Sequence, residues 1–320
     1  MSALAFTVMA LVLSGPVPAM LARASWPSRA PRAAIVLWQA IALAAVLSAF
    51  SAGIAIASRL FAPGHDGRPT TTITSEIEAL GWPVWAAFVA VFALTLVVGA
   101  RLLVSVVQVA IATRRRRAHH RMVVDLVGKS QKWAHAHGPT RMLGAGDGLR
   151  ILDVDQPLAY CLPGVRSRVV VSEGALTTLA DKEIAAILSH ERAHLRARHD
   201  LVLEMFTAVH AAFPRFVRSA SALDAVRLLI EMLADDAAVR TAGPTPLARA
   251  LVACAAGRAP SGALAVGGPT TVLRVRRLGG APNSIALAGA AYLAAAAVLV
   301  LPTIAVVVPW LTELHRLFTA

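Results

Sequence analysis

The chain has 320 residues, 57% of them hydrophobic and only 15% charged, with 31 Lys and Arg against 18 Asp and Glu. A soluble domain runs at about 45–50% apolar and about 25% charged, so this composition excludes an ordinary soluble protein, and its hydrophobicity excludes a disordered one. Two cysteines, Cys161 and Cys254, exclude a disulfide scaffold and a Cys-only zinc site. The formal charge of +13 suits nucleic-acid binding or the cytoplasmic faces of a membrane protein, and the placement of the charges decides between them.

Apolar runs long enough to cross about 30 Å of hydrocarbon, roughly 20 helical residues, occur at residues 3–22, 33–58, 83–112 and 284–310. The third contains Arg101, so its intramembrane part is expected at residues 84–100, with the helix continuing as a stalk and Arg101 snorkelling to the interface. Pro16 and Pro18 are expected to kink the first span and Pro302 the fourth. The first loop carries Arg23, Arg29 and Arg32 with no acid and reads as cytoplasmic; residues 61–82 carry Asp66, Glu76 and Glu78 against Arg68 and read as outside. Arg114, Arg115, Arg116 and Arg117 then flank one end of a large segment, and Arg274, Arg276 and Arg277 flank the other, which places that segment in the cytoplasm. Ala22-Arg23-Ala24 looks like a signal-peptide cleavage site, but no Lys or Arg precedes the apolar run, and losing the first span would put Arg114–Arg117 outside. The expectation is a mainly α, multi-pass cell-membrane protein with both termini outside. Residues 1–112 would hold three spans, 113–283 a soluble domain, 284–310 the fourth span and 311–320 a short external tail.

Within the soluble segment, residues 122–136 look helical, and the Gly-rich stretch 144–148 lacks nucleotide-fingerprint spacing and reads as a turn. Residues 151–154 and 168–172 are short β-branched runs of strand type. Helical stretches follow at 181–197, 201–213 and 222–241; residues 255–270, rich in Gly, Ala and Pro, read as a linker to the fourth span. The 201–213 stretch is too short to span; it is expected to pack in the core, with a place resting on the bilayer as the alternative.

The informative residues are Ser189-His190-Glu191-Arg192-Ala193-His194. Helical positions four apart share a face about 5–6 Å apart, which lets two imidazoles grip one ion, while Glu191, offset around the helix, is placed to reach a water on it. A catalytic zinc needs a third protein ligand and an open position. Glu231 and Asp235, again four apart, lie in an otherwise apolar stretch with Leu228, Leu229, Ile230, Met232 and Leu233, so they ask for a partner. Pairing of Glu231 with Arg227 on a solvated face would account for one of them; the coincidence with the His pair favours Glu231 as third ligand and Asp235 as the carboxylate that orients a ligand histidine.

The stretches PLAYCLPGVRSRVVVSEGAL (157–176), DKEIAAILSHERAHLRARHDLV (181–202) and EMLADDAAV (231–239) resemble the gluzincin membrane metallopeptidases with HExxH and a downstream ExxxD. Within that group, LVLEMFTAVHAAFPRFVRSA (201–220) resembles the BlaR/MecR antirepressor peptidases, as does the order of three spans before the catalytic segment and one after it. The resemblance implies a cytoplasmic α+β metallopeptidase domain with one Zn2+ per chain, held by His190, His194 and Glu231, with Glu191 as general base and Asp235 behind a ligand. It also implies that the strand Arg168, Val169, Val170, Val171 and Ser172 lies at the cleft edge and pairs with an extended substrate. About ten residues follow the fourth span, so the external penicillin-binding sensor of that family is not expected.

His119, His120, His135 and His137 read as solvated or interfacial, His199 and His210 as structural, and the Arg114–Arg117 run as a topology and anionic-lipid signal without nucleic-acid binding. The function implied is a membrane endopeptidase that cleaves a cytoplasmic protein, a transcriptional repressor, with the bilayer as its other partner. Alternatives are a quality-control protease of the HtpX type or a non-catalytic signalling or scaffold protein.

Overall fold

The computed structural model describes residues 2–57, 77, 81–130, 148–212, 220–255, 264–265, 270–280 and 282–319. Helix α1 (Ser2–Ser14) breaks at Gly15, because Pro16 and Pro18 supply no N–H to continue its ladder, and α2 (Pro16–Arg23) starts on the prolines. A 3-10 turn at Trp26–Arg29 leads into α3 (Pro31–Ala57). Helix α4 (Trp82–Val127) is continuous over 46 residues, about 69 Å. Helix α11 (Ile285–Thr319) passes through Pro302 without interruption. Leu4–Arg23, Pro31–Ile56, Trp82–Val127 and Ile285–Ile304 are long and apolar enough to cross a membrane.

The segment between α4 and α11 is α+β. Strands β1 (Lys129–Ser130), β2 (Leu149–Leu152), β3 (Ala159–Leu162), β4 (Arg168–Ser172) and β5 (Leu264–Ala265) form one sheet in the order β1-β2-β4-β3-β5. Only β2 and β4 pair in parallel. The helix expected over residues 122–136 therefore stops at Val127, where Gly128 turns extended and the chain enters β1. The turn expected at 144–148 lies outside the described residues except for Gly148, and the expected linker contains β5.

After β4 come α5 (Glu173–Thr178), α6 (Asp181–Arg196), α7 (His199–Ala212), α8 (Ala220–Ala242), α9 (Pro244–Ala253) and α10 (Thr271–Leu278). Ser172 fixes the exit from β4. Its Oγ accepts from Ala175 N and Leu158 N, each at 3.0 Å, and donates to Gln156 O at 2.8 Å, capping α5 and clamping the preceding loop. One core joins the sheet to α6 and α9 through Val169, Val171, Ile187, Leu188, Leu247 and Leu251. A second joins α3 to α7 and α8 through Trp38, Ile41, Phe206, Leu223, Val226 and Ile230.

Helix α7 packs in the core, against α4. Ser105 Oγ donates to Ala208 O at 2.7 Å, and Arg117 Nη1 lies 3.0 Å from Asp200 and 2.6 Å from Glu204. Arg101 donates to Ala212 O, so it satisfies a terminal carbonyl of α7.

The junction after β4 yields a stability test. A Cβ on Gly174 would run into the backbone of Asp155. Gly174→Ala is expected to destabilise the fold by about 1–3 kcal/mol through forced backbone movement, read as a lowered midpoint in denaturation of the purified protein.

Candidate metal centre

Small residues allow α6 and α8 to approach closely: Ala186, Ala234 and Ala238 are fully buried, and Ser189 Oγ meets Thr241 Oγ1 at 2.9 Å. His190, Glu191 and His194 on α6 and Asp235 on α8 are almost completely buried, while Glu231 is partly so.

The potential ligand atoms of His190, His194 and Glu231 all lie within 4.8 Å of one another. Nε2 of His190 is 3.1 Å from Nε2 of His194, and Glu231 oxygens are 3.4 Å and 3.6 Å from the two nitrogens. Donors each about 2.0–2.1 Å from a tetrahedral ion stand about 3.3 Å apart; Oε2 faces His190 and Oε1 faces His194, so the three residues lie close to the spacing a zinc-sized cation needs. Both carboxylate oxygens of Glu191 are buried without a hydrogen-bond partner. A buried carboxylate in that state is costly unless a water or ion completes it.

Burial pushes Glu191 up to about 7. Burial also draws His190 down, but Asp235 and Glu231 outweigh it and raise this imidazole to about 9. Burial, joined by the neighbouring His190, His199 and Arg274, drives His194 down to about 3 against the pull of Glu231. Burial works against ionisation of Glu231, but His194, His190 and Arg274 hold its carboxyl down to about 2. The same carboxylates that favour a proton on this imidazole pair would favour a bound cation in its place.

Asp235 Oδ1 lies 3.0 Å from His190 Nδ1, a close approach that is bent away from the ring N–H direction. Arg227 pairs with Asp224 at 3.0 Å and not with Glu231. The charge facing Glu231 is Arg274, from α10. Its Nη1 is 3.0 Å from Glu231 Oε2, while Nε and Nη2 donate to the two Asp235 oxygens at 2.8 Å and 2.6 Å. Only 1% of Arg274 is exposed. Burial opposes the ionised Asp235, but Arg274 and His190 hold its carboxyl well below the usual carboxylate range.

Three neighbours of the centre escaped the reading of the sequence. In the sequence Arg274 stands in a basic run beside an apolar helix. Its signal was the i, i+3 spacing with Arg277, which puts two guanidiniums on one face opposite Asp235 and Asp236. The second is His199, whose Nδ1 is 3.0 Å from His194 Nδ1. The turn that brings it there runs through Arg198 in the left-handed region at φ 53°, an uncommon conformation that no local pattern announces. The third is Cys161 on β3, fully buried, with a thiol that burial and Glu191 push well up.

The expected substrate-pairing strand needs correction. Residues Arg168, Val169, Val170, Val171 and Ser172 form β4, which is hydrogen-bonded to β2 on one side and β3 on the other. Neither of its edges is open to a substrate. Among the described residues, the sheet ends at β1 and β5.

These features define a two-His, one-carboxylate centre of the kind a zinc hydrolase uses. Residues 149–281 match the family model of Peptidase family M48, a match that includes every residue of the centre and supports a zinc metallopeptidase. No curated protein matches the chain, and no solved structure does.

Arg274→Gln is expected to weaken zinc binding roughly 10–100-fold, the range for loss of a group that orients a ligand, in competition against a chromophoric chelator. Arg274→Lys, which keeps the charge without the fork, is expected to fall between, and Asp235→Asn to match Arg274→Gln.

Proposed function

We propose that the protein is a membrane-embedded zinc endopeptidase that cleaves a cytoplasmic protein. The observation that carries this reading is the convergence of His190, His194 and Glu231 beside a buried Glu191 whose two oxygens have no partner. Bound zinc would supply a Lewis acid that acidifies a water and polarises the scissile carbonyl. His190, His194 and Glu231 would hold it, with Asp235 behind His190 and Arg274 bracing both carboxylates. Glu191, held near 7, is suited to take a proton from the attacking water and pass it to the leaving amine.

Four apolar helices support a multi-pass membrane location, and the basic residues at both junctions of the peptidase segment support its cytoplasmic placement. The stretch 201–220 and the order of the apolar spans, which resemble the BlaR/MecR antirepressor peptidases, support a transcriptional repressor as the substrate class, which would place the enzyme in a regulatory circuit.

Glu191→Gln is expected to abolish proteolysis while zinc stays bound by elemental analysis; retained cleavage removes Glu191 as the base. A topology reporter fused after Ala118 is expected to give a cytoplasmic signal, and an external signal overturns the orientation.

A further inference from the structure

The two candidate ligand imidazoles are backed by different groups. Behind His190 stands a carboxylate, Asp235, in a bent approach. Nε2 of His194 faces the other two candidate ligands, 3.1 Å from His190 Nε2 and 3.6 Å from Glu231 Oε1. Its other ring nitrogen, Nδ1, meets Nδ1 of His199 at 3.0 Å, with both residues buried and the rings set edge-on at 83°.

Two ring nitrogens at hydrogen-bond distance must divide the roles of donor and acceptor. An Nε2 that offers its lone pair to a cation leaves the proton of neutral His194 on Nδ1. His194 is therefore the donor and His199 Nδ1 the acceptor, which puts the proton of neutral His199 on its own Nε2. A proton on Nδ1 of His199 would set two donors against each other. One contact thus fixes the tautomers of both rings.

The backbone holds His199 in that place. Had α6 continued past Arg196, residue 199 would lie about 140° around the helix from His194 and could not meet it. Arg198 breaks the helix instead, in the left-handed region at φ 53°, a conformation that a non-glycine residue keeps only where its surroundings enforce it. His199 then opens α7, and the next turn is pinned to α4 by Arg117, which reaches Asp200 at 3.0 Å and Glu204 at 2.6 Å.

We infer that His199 is a positioning residue for the metal centre: its Nδ1 lone pair accepts the Nδ1–H of His194, fixes the rotation of that ring and aims Nε2 at the cation. This role rests on the reading of His190, His194 and Glu231 as zinc ligands and is independent of the substrate. A carboxylate behind one ligand and a neutral acceptor behind the other orient both rings while adding a single negative charge behind them.

The test measures zinc affinity of the full-length protein in detergent micelles, by competition with a chromophoric chelator. Asn Oδ1 sits on Cγ where His Nδ1 does and is an acceptor, whereas Phe keeps a ring but has no acceptor. His199→Asn is expected to stay within about threefold of the wild type, and His199→Phe to bind zinc roughly 10–100-fold more weakly. A role in packing alone predicts the reverse order, because Phe fills the space that Asn leaves open. The Co2+-loaded protein supplies a second readout: its visible absorption band is expected to be retained in His199→Asn and to shift and weaken in His199→Phe. His199→Asp and His199→Leu replace the Asn and Phe variants should either fail to fold. Equal affinities of the acceptor and acceptor-free variants, or tighter binding by the acceptor-free one, overturn the role of His199. Failure of the wild type to bind zinc overturns the metal-centre reading instead.

Discussion

The fork of Arg274 on Asp235 and Glu231 is the interaction on which the centre depends. Two ionised carboxylates one turn apart on an apolar helix repel each other, and each loses solvation when it is buried. Arg274 offsets both terms, because its planar group reaches Asp235 through two hydrogen bonds and Glu231 through a third nitrogen. The carboxylates can then stay ionised behind the two imidazoles. That requirement fixes where α10 must lie, although α10 contributes none of the three candidate ligands.

Helix α8 brings the two halves of the molecule together. Its Leu223, Val226 and Ile230 face the core built on α3, while Glu231 and Asp235 face α6 and α10. Arg277 extends the same junction, donating to Asp236 at 2.7 Å, to Ser28 O at 2.6 Å and to Asn283 at 2.8 Å. Ser284 N adds a bond to Arg29 O at 2.8 Å. The turn between the first two apolar segments, the start of the last one and the helix carrying Glu231 therefore share one polar joint. A displacement of any of them reaches the centre through side chains that touch.

Much of this was legible because it is local. The His190 and His194 spacing, the Glu231 and Asp235 spacing and the apolar runs each follow from helical periodicity, and α6, α7 and α8 lie within a few residues of where periodicity puts them. What was hidden depends on contacts between distant segments. Strand β3 and helices α9 and α10 are short, and their residues gain meaning only against partners elsewhere, as Tyr160 does against His120 and Arg274 against Asp235. The apolar run 168–172 was legible as a strand, but its position inside the sheet was not. A strand with β-branched residues on both faces has the pattern of an interior strand, and Val169, Val170 and Val171 are indeed all buried.

The basic clusters beside the apolar segments contain both paired and exposed arginines. Positive charge beside an apolar segment directs its orientation during insertion, when the chain is not yet folded. In the folded protein, Arg117, Arg274 and Arg277 have turned inward onto Asp200, Asp235 and Asp236, while Arg114, Arg115, Arg116 and Arg276 stay exposed. The segment 113–283 holds 24 of the 31 basic and 14 of the 18 acidic residues, so a formal count overstates the positive charge that its surface presents. The unpaired positive charge then belongs to the arginines left outside. The paired ones have become structural, and at Arg274 the pairing reaches the candidate metal centre itself.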